Sequence, residues 1–480
     1  MAQHDAFLPV LSEGALDRIE ESAHRLLAEV GISLQHGAAT EMLHGRGCHV
    51  EKNRVLIPQE TVQWALAQVT PHRVHYNRDG SEAFTLGNGQ VRFHSGGGLP
   101  FFYDLDTGER RLPRLSDVAD STRLLDALPN VDLIIPLLGP QDVPPEQIAV
   151  AATCEMLRHT SKPVWGTPID KPEDVAYIVE MAAACCGGMA PFLERPTMCL
   201  CVSPVSPLTF TDKVASAILA VAQSGAPFLA LPAPTLGATG PVTMAGTLVQ
   251  QHAETLASLV LAAAANPGVR TLYCSRISSI DLRRAVSSWG GPEVGMTGAG
   301  AGALAHRLGL PCDAYGFATA STLLDPQFAY ERLANALVPA LAGVDFLSGM
   351  GNTENVMIAG LEIAVIDDEL ASLTKHIVSG CVVNEETLAF DVMAEVIRRD
   401  GVYLGEMHTV KQMRQGALWI PGISQRGEVK PGDQAEDVVA RARARAKALL
   451  ASHEVEPLPE DASRHLDEIM IRARRELVED

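Results

Sequence analysis

Apolar positions are spaced one way in the first ninety residues and another way after them. Leu16 to Val30 places Ile19, Ala23, Leu26, Leu27 and Val30 at helical intervals, with Gly31 as a stop. A second helix is expected from Gly37 to Gly45. Val50 to Ile57 reads as a hairpin, and Pro58 opens a further helix to Val69. From Val91 onward, short continuous apolar runs alternate with amphipathic stretches. The runs are Val91 to His94, Val131 to Leu138, Val164 to Thr167, Met198 to Ser203, Phe228 to Leu231, Thr271 to Ser275, Cys312 to Phe317 and Val344 to Ser348. The helical stretches between and after them begin near Ser116, Pro145, Pro172, Thr211, Val242, Pro292, Pro326 and Gly360.

Strands alternating with helices predict a parallel sheet, and eight such units predict a closed (β/α)8 TIM barrel rather than an open sheet. A doubly wound sheet is the competing architecture, but no early strand leads into a GxGxxG turn. The expected organisation is an α/β chain with an N-terminal helical cap (1–90), the barrel (91–383) and a C-terminal helical extension (384–480). The last of these includes an Ala- and Arg-rich helix from Ala435 to Leu450.

Composition narrows the function classes. A formal net charge of -20 argues against nucleic acid, whose phosphates require a basic face. Nine cysteines without a CxxC pair read as buried, reduced thiols. Met1 to Val10 lacks the basic start and apolar centre of a signal peptide, and Leu256 to Ala265 is too short to span a bilayer. The expectation is a soluble, cytoplasmic protein. No HExxH or paired CxxC is present, so no metal site is expected from spacing.

In a barrel of this kind, chemistry sits at the C-terminal ends of the strands. The two stretches richest in candidates are Cys312 to Ser321 (CDAYGFATAS) and Val344 to Glu354 (VDFLSGMGNTE). His94 ends the first apolar run and is a candidate catalytic group, with a structural hydrogen-bonding role as the alternative. Glu354 is a second candidate; a carboxylate at a helix N-terminus is its bland reading. Only 5% of residues are aromatic, yet Tyr103, Trp165, Tyr315 and Phe317 fall at strand ends. Ring faces attract a quaternary ammonium, and core packing is the competing explanation. Arg276 at a strand end requires an anion, which a substrate carboxylate, Glu354 or Asp313 could supply. Gly96, Gly97, Gly349 and Gly351 would let a cofactor approach the backbone. The glycines from Gly295 to Gly302 lie inside a helical pattern and read as close helix–strand packing.

Several stretches together resemble the trimethylamine methyltransferase family of corrinoid-protein methyltransferases. These are RLLAEVGISL and RVLIPQETV near the start, then DLDTGERRLPRLSDVAD and RLLDALPNVD. Farther on come LRRAVSSWGGPE, GMGNTENVMIAGLEIAVIDDE and MHTVKQMRQGALWIPGISQRG. The resemblance runs over nearly the whole chain and implies the same barrel. Members that demethylate trimethylamine carry pyrrolysine near the end of the seventh strand. The similar segment here is Tyr315 to Ser321, with an ordinary residue, about Ala318, at that place. The resemblance therefore implies methyl transfer from glycine betaine or a similar betaine, since a quaternary amine is already an activated leaving group. The acceptor would be Co(I) of cobalamin carried by a separate corrinoid protein, because the cobalamin-binding pattern Asp-x-His-x-x-Gly is absent from this chain. A homo-oligomer is expected. A non-catalytic betaine-binding or corrinoid-docking protein on the same barrel is the alternative, and turnover with a reduced corrinoid protein separates the two.

Overall fold

The structure is a computed structural model describing residues 10–428 and 436–479. Eight parallel segments form its centre, numbered here in chain order. They are β1 (Arg92–Ser95), β2 (133–134), β3 (Val164–Trp165), β4 (Met198–Val202), β5 (Phe228–Ala230), β6 (Arg270–Ser275), β7 (Cys312–Tyr315) and β8 (Phe346–Met350). The ladder runs continuously from β3 through β4, β5, β6, β7 and β8 to β1. Two single bridges, His94 with Leu133 and Ile134 with Val164, close the ring through β2. The chain is thus a closed (β/α)8 barrel.

The second apolar run is the one segment that does not form a full ladder, and its sequence gives the reason. Pro136 has no N–H to contribute. Just before it, Ser95 Oγ stands in for a backbone group: it donates to Ile135 O at 3.0 Å and accepts from Ile135 N at 2.9 Å. Asp132 likewise accepts from the Phe93 amide through its side chain, at 2.9 Å.

The helices follow the expected positions closely. Helix Pro292–Arg307 carries the glycine series, and a Cβ at Gly298 or Gly302 would meet Ala314 Cβ at 3.2 Å or Val344 Cγ2 at 2.7 Å. These glycines allow the helix to lie close on β7 and on the start of the next unit, as the pattern suggested.

The segment before the barrel holds three helices, Glu13–Glu29, Gly37–His44 and Gln59–Gln68, and also six strands of two to four residues. Runs that short carry too few alternations to be recognised beforehand. Ser12 caps the first helix by accepting from Ala15 N, and Leu16, Ile19, Ala23 and Leu27 form its buried stripe. The expected hairpin is present as His49–Glu51 paired antiparallel with Arg54–Leu56.

Thr70–Pro71 adds a short parallel segment to the start of β6. The hairpin after it pushes Phe84 and His75 into the lower end of the barrel. There His75 stacks on Phe84 with centroids 4.7 Å apart, and both rings meet Phe346. His72, His75 and Cys199 come within 4.8 Å of one another in this plug, although they are far apart in sequence. Burial holds His72 down to about 3 and depresses His75 further below the usual range. Burial also raises the Cys199 thiol. The Nε2 atoms of both rings are buried without a hydrogen-bond partner among the described residues. The cluster is arranged as a neutral plug.

After the barrel, helix Val438–Ser452 packs on Leu361–Ser379, and Glu460–Arg474 packs on Asp174–Cys185. Ala435, the expected start of the Ala- and Arg-rich helix, lies outside the described residues, as do residues 1–9. Among the described residues no helix is long and apolar enough to cross a membrane.

Candidate functional site

Side chains alternate between the barrel interior and its helical coat, so each strand places every second residue inward. Trp165, Cys199, Cys201, Leu229, Leu272, Cys274 and Phe346 fill the lower and middle interior. One or two positions farther along the strands the lining becomes polar: His94 on β1, Arg276 just past β6, Asp313 on β7 and Ser348 on β8.

Asp313 is the hub of this belt. Its Oδ1 lies 3.0 Å from His94 Nε2, and its Oδ2 accepts from Arg276 NH2. His94 and Asp313 are fully buried, and Arg276 nearly so. The other ring nitrogen of His94, Nδ1, lies 2.9 Å from the Ser95 carbonyl oxygen. Burial opposes the charge of Arg276, but Asp313 outweighs it and holds the guanidinium above its ordinary value. The Arg276–Asp313 ion pair and the His94 ring form a polar belt inside an apolar wall.

Tyr315 stands two residues above Asp313. Its hydroxyl accepts from Asn352 Nδ2 at 2.9 Å, and its ring packs against Trp289 with centroids 4.7 Å apart. The Arg276 guanidinium lies 5.7 Å from the same ring. Thr167 Oγ1, Ser348 Oγ and Asn352 Oδ1 are buried without a hydrogen-bond partner among the described residues. Buried polar atoms are normally paired. Unpaired ones at strand ends mark a place for water or ligand.

The turn after β8 is strained. Glu354, Asn355 and Val356 are consecutive non-glycine residues at φ 51°, 57° and 65°. Left-handed backbone costs such residues about 1–2 kcal/mol each, most for a β-branched side chain. The surroundings hold the turn in place. Asn355 N donates to Thr319 O, Thr353 Oγ1 donates to Ser321 O, and Asn355 Oδ1 accepts from Trp289 N. The turn aims the Glu354 carboxylate at Tyr103, whose hydroxyl donates to Oε1 at 2.5 Å, with Arg110 3.9 Å from Oε2. Burial and the Glu354 carboxylate together push the Tyr103 hydroxyl up to about 12.

The residues singled out beforehand therefore separate into groups. His94 and Arg276 converge on Asp313, and Tyr315 stands over Arg276. Tyr103 and Glu354 form a second group on the small sheet beside the mouth. Glu354 does not begin a helix, because the next one starts at Leu361. Trp165 lies below the belt, its ring 4.6 Å from that of His94. Phe317 is turned to the helical side, where it packs on Phe93 at 5.4 Å. The glycines serve internal packing. A Cβ at Gly96 would meet Asn352 Nδ2 at 2.9 Å, at Gly97 Ile135 Cγ2 at 2.4 Å, at Gly349 the Tyr315 ring at 2.8 Å, and at Gly351 Leu137 at 3.1 Å. Trp289 and Asn352 were not anticipated. Trp289 reaches Tyr315 from a hairpin that no periodicity announced, though a tryptophan in a chain with four of them is itself a signal.

Comparison with known proteins agrees with this architecture. The chain is 29% identical over 447 residues to the glycine betaine methyltransferase of Desulfitobacterium hafniense (strain Y51), covering 92% of each. It is 31% identical over 463 residues to the trimethylamine methyltransferase MttB of D. hafniense (strain DSM 10664 / DCB-2), covering 96% of this chain and 92% of that protein. Among solved structures, the Methanosarcina barkeri monomethylamine methyltransferase (MtmB) superposes with a TM-score of 0.56 at 14% identity. That match covers 94% of this chain and 89% of that one, and it supports the fold alone. The model of the trimethylamine methyltransferase (MTTB) family matches residues 1–478, and the chain belongs to that family.

Proposed function

We propose that this protein is a methyltransferase that takes a methyl group from a quaternary ammonium carboxylate, a betaine, in the cytoplasm. The observation that carries the choice of substrate is the buried Arg276 guanidinium, held by Asp313 beside His94, directly below the Trp289–Tyr315 pair. A corrinoid held by a separate protein supplies the Co(I) nucleophile that accepts the methyl group.

This chain's own work is binding and alignment. Arg276 attracts the substrate carboxylate, while Asp313 keeps its guanidinium and the His94 ring in place. The faces of Trp289 and Tyr315 attract the ammonium through their quadrupoles. With its carboxylate anchored low, the betaine presents an N-methyl group toward the mouth, the geometry an in-line displacement requires. The product is a neutral tertiary amine, so the ammonium loses its attraction to the rings after transfer. His94 touches Asp313 rather than the reacting atoms and is a positioning residue. Tyr103 and Glu354 set the side wall.

Leu282, Leu323 and Met357, in loops after β6, β7 and β8, are exposed apolar residues around this end of the barrel and suit a protein partner. In this reading residues 91–383 carry the chemistry, residues 1–90 close the lower end, and residues 384–480 support the outer wall.

The reading is tested by methylating a reduced corrinoid protein across a panel of betaines and trimethylamine, followed by cobalt absorbance. Transfer from a betaine at the highest rate is expected. Faster transfer from trimethylamine, or none from any betaine, would overturn it. The aromatic pair has its own test. A cation–π contact is worth about 0.5–2 kcal/mol, so Trp289→Leu is expected to raise KM for the betaine roughly 2- to 30-fold with Tm little changed. Trp165→Leu, by contrast, is expected to lower Tm through a core cavity. An unchanged KM in folded Trp289→Leu protein would place the ammonium elsewhere.

A further inference from the structure

The hairpin that closes the lower end of the barrel brings three donor groups together. One ring nitrogen each of His72 and His75 and the Cys199 sulfur all lie within 4.8 Å of one another, and all three residues are buried. Each is held by a different part of the backbone. His72 N donates to Thr271 O on β6, His75 lies opposite Phe84 in the hairpin, and Cys199 lies opposite Trp165 in the β3–β4 ladder. Spacing alone does not announce the group, because Cys199 is far from the other two in sequence. The Phe346 ring separates it from the belt above, packing against His94 at 4.6 Å and against His75 at 5.9 Å.

Packing does not require polar groups at this place. Cys199 sits in an apolar cluster with Phe84, Trp165, Leu229 and Phe346. Yet Nε2 of His72, Nε2 of His75 and Nε1 of Trp165 are buried without a hydrogen-bond partner among the described residues. Buried polar atoms are normally paired, and an apolar side chain of similar shape would fill the space without that cost. Two unpaired imidazoles beside a thiol mark a place for a ligand that accepts lone pairs. Burial holds both rings neutral, the form in which histidine ligates. The Trp165 indole faces the Cys199 sulfur and favours its thiolate.

We propose that His72, His75 and Cys199 bind one thiophilic metal ion, Cu(I), as a clip between the closing hairpin and β4. Imidazole and thiolate donors select copper or zinc over magnesium or calcium. Bonds of about 2.0–2.3 Å set neighbouring donors about 3.5 Å apart, so the side chains need to close by about 1 Å, which rotation about their own bonds supplies. Ligand number and charge choose between the two metals. A structural zinc takes four ligands, and no fourth His, Cys or carboxylate among the described residues joins the group. Three donors suffice for Cu(I). Zn(II) and one thiolate also sum to a net positive charge, buried near the Arg270 guanidinium, which acts on both His72 and Cys199. Cu(I) and one thiolate sum to zero. Binding exchanges the thiol proton for the ion: the Cys199 thiol and Cu(I) give a Cu(I) thiolate, and the proton leaves to solvent with no change of oxidation state.

The test uses the full chain and does not depend on activity. A Cys381→Ser background removes the exposed thiol. This protein, stripped with a chelator and kept anaerobic, is titrated against the Cu(I)–bicinchoninate complex. It is expected to withdraw one Cu(I) per chain, to gain thermal stability on loading, and to bind Zn(II) about 10-fold more weakly or less. Cys199→Ser and His75→Gln are each expected to weaken Cu(I) binding by about 100-fold. X-ray absorption on the loaded protein without those two changes covers the case in which the variants fail to fold. It should show one sulfur and two imidazole nitrogens around the copper. Failure to withdraw Cu(I) overturns the inference. So does unchanged binding in folded Cys199→Ser protein, a copper environment of sulfur alone, or tighter binding of Zn(II) than of Cu(I).

Discussion

Asp313→Ala is expected to cost about 3–5 kcal/mol of folding stability, the range for breaking a buried ion pair by removing one partner. The reason is asymmetry. Asp313 serves Arg276 and His94 at once, and its loss leaves a buried guanidinium without its counter-ion and the imidazole without its partner. Urea denaturation measures this directly, and a loss below about 1 kcal/mol would mean that water reaches the belt. Arg276→Met separates the functional part. It keeps much of the volume and removes the guanidinium that would meet the substrate carboxylate, while Asp313 keeps its contact with His94. Truncating one side of a desolvated charge pair with a ligand costs about 2–5 kcal/mol, so kcat/KM for the betaine should fall by about 30-fold or more. An unaltered kcat/KM in folded Arg276→Met protein would remove the carboxylate from the belt.

Acid should weaken the fold through histidines that are not in the site. His72 in the plug and His252 in helix Met244–Ala265 are fully buried, and burial lowers each to about 3. In the unfolded chain each takes up a proton below its ordinary value of about 6.5. In the folded chain neither does until far lower. The stability they allow is fully present above pH 6.5 and is lost as the pH falls toward 3. Between pH 7 and pH 5 each should account for about 2 kcal/mol, and the two together for about 4. His75 acts in the same direction. Asp174, raised to about 6 by burial, acts in the opposite direction. The measurement is therefore a comparison: unfolding free energy at pH 7 and pH 5, for the unaltered protein and for His72→Leu/His252→Leu. Asp174 is common to both and cancels. The variant should lose about 4 kcal/mol less, and parallel pH dependences would show that these rings do not titrate on unfolding.

The barrel was legible in the sequence because its information is local. Each of the eight runs is apolar over several residues, and each helix between them shows its own period. The site was legible only in part. His94, Arg276 and Tyr315 could be found as polar or aromatic residues at strand ends, but which way each faces depends on a single step of register. Phe317 and Tyr315 are two positions apart, yet Phe317 faces the helices because the chain has left the strand by then. The small sheet that carries Tyr103 pairs Phe101–Tyr103 with Ile358–Gly360, more than two hundred residues away, and no local pattern encodes that pairing. The left-handed turn at Glu354 was hidden for another reason. No glycine marks it, and the conformation is imposed by the residues around it.

The single-bridge segment β2 gives the barrel the mechanics of a split ring closed by a clasp. Around most of the circumference, hoop stiffness comes from backbone ladders. At one place it rests on isolated bridges, His94–Leu133 and Leu99–Leu138 on one side and Ile134–Val164 on the other, and on the hydroxyl of Ser95. Any breathing of the ring concentrates at that clasp. The three residues of the belt lie on β1, just past β6 and on β7, which the unbroken arc through β8 joins. The mouth can therefore widen for a bulky visitor by yielding at the clasp, while the arc that sets the distances around Asp313 keeps its shape.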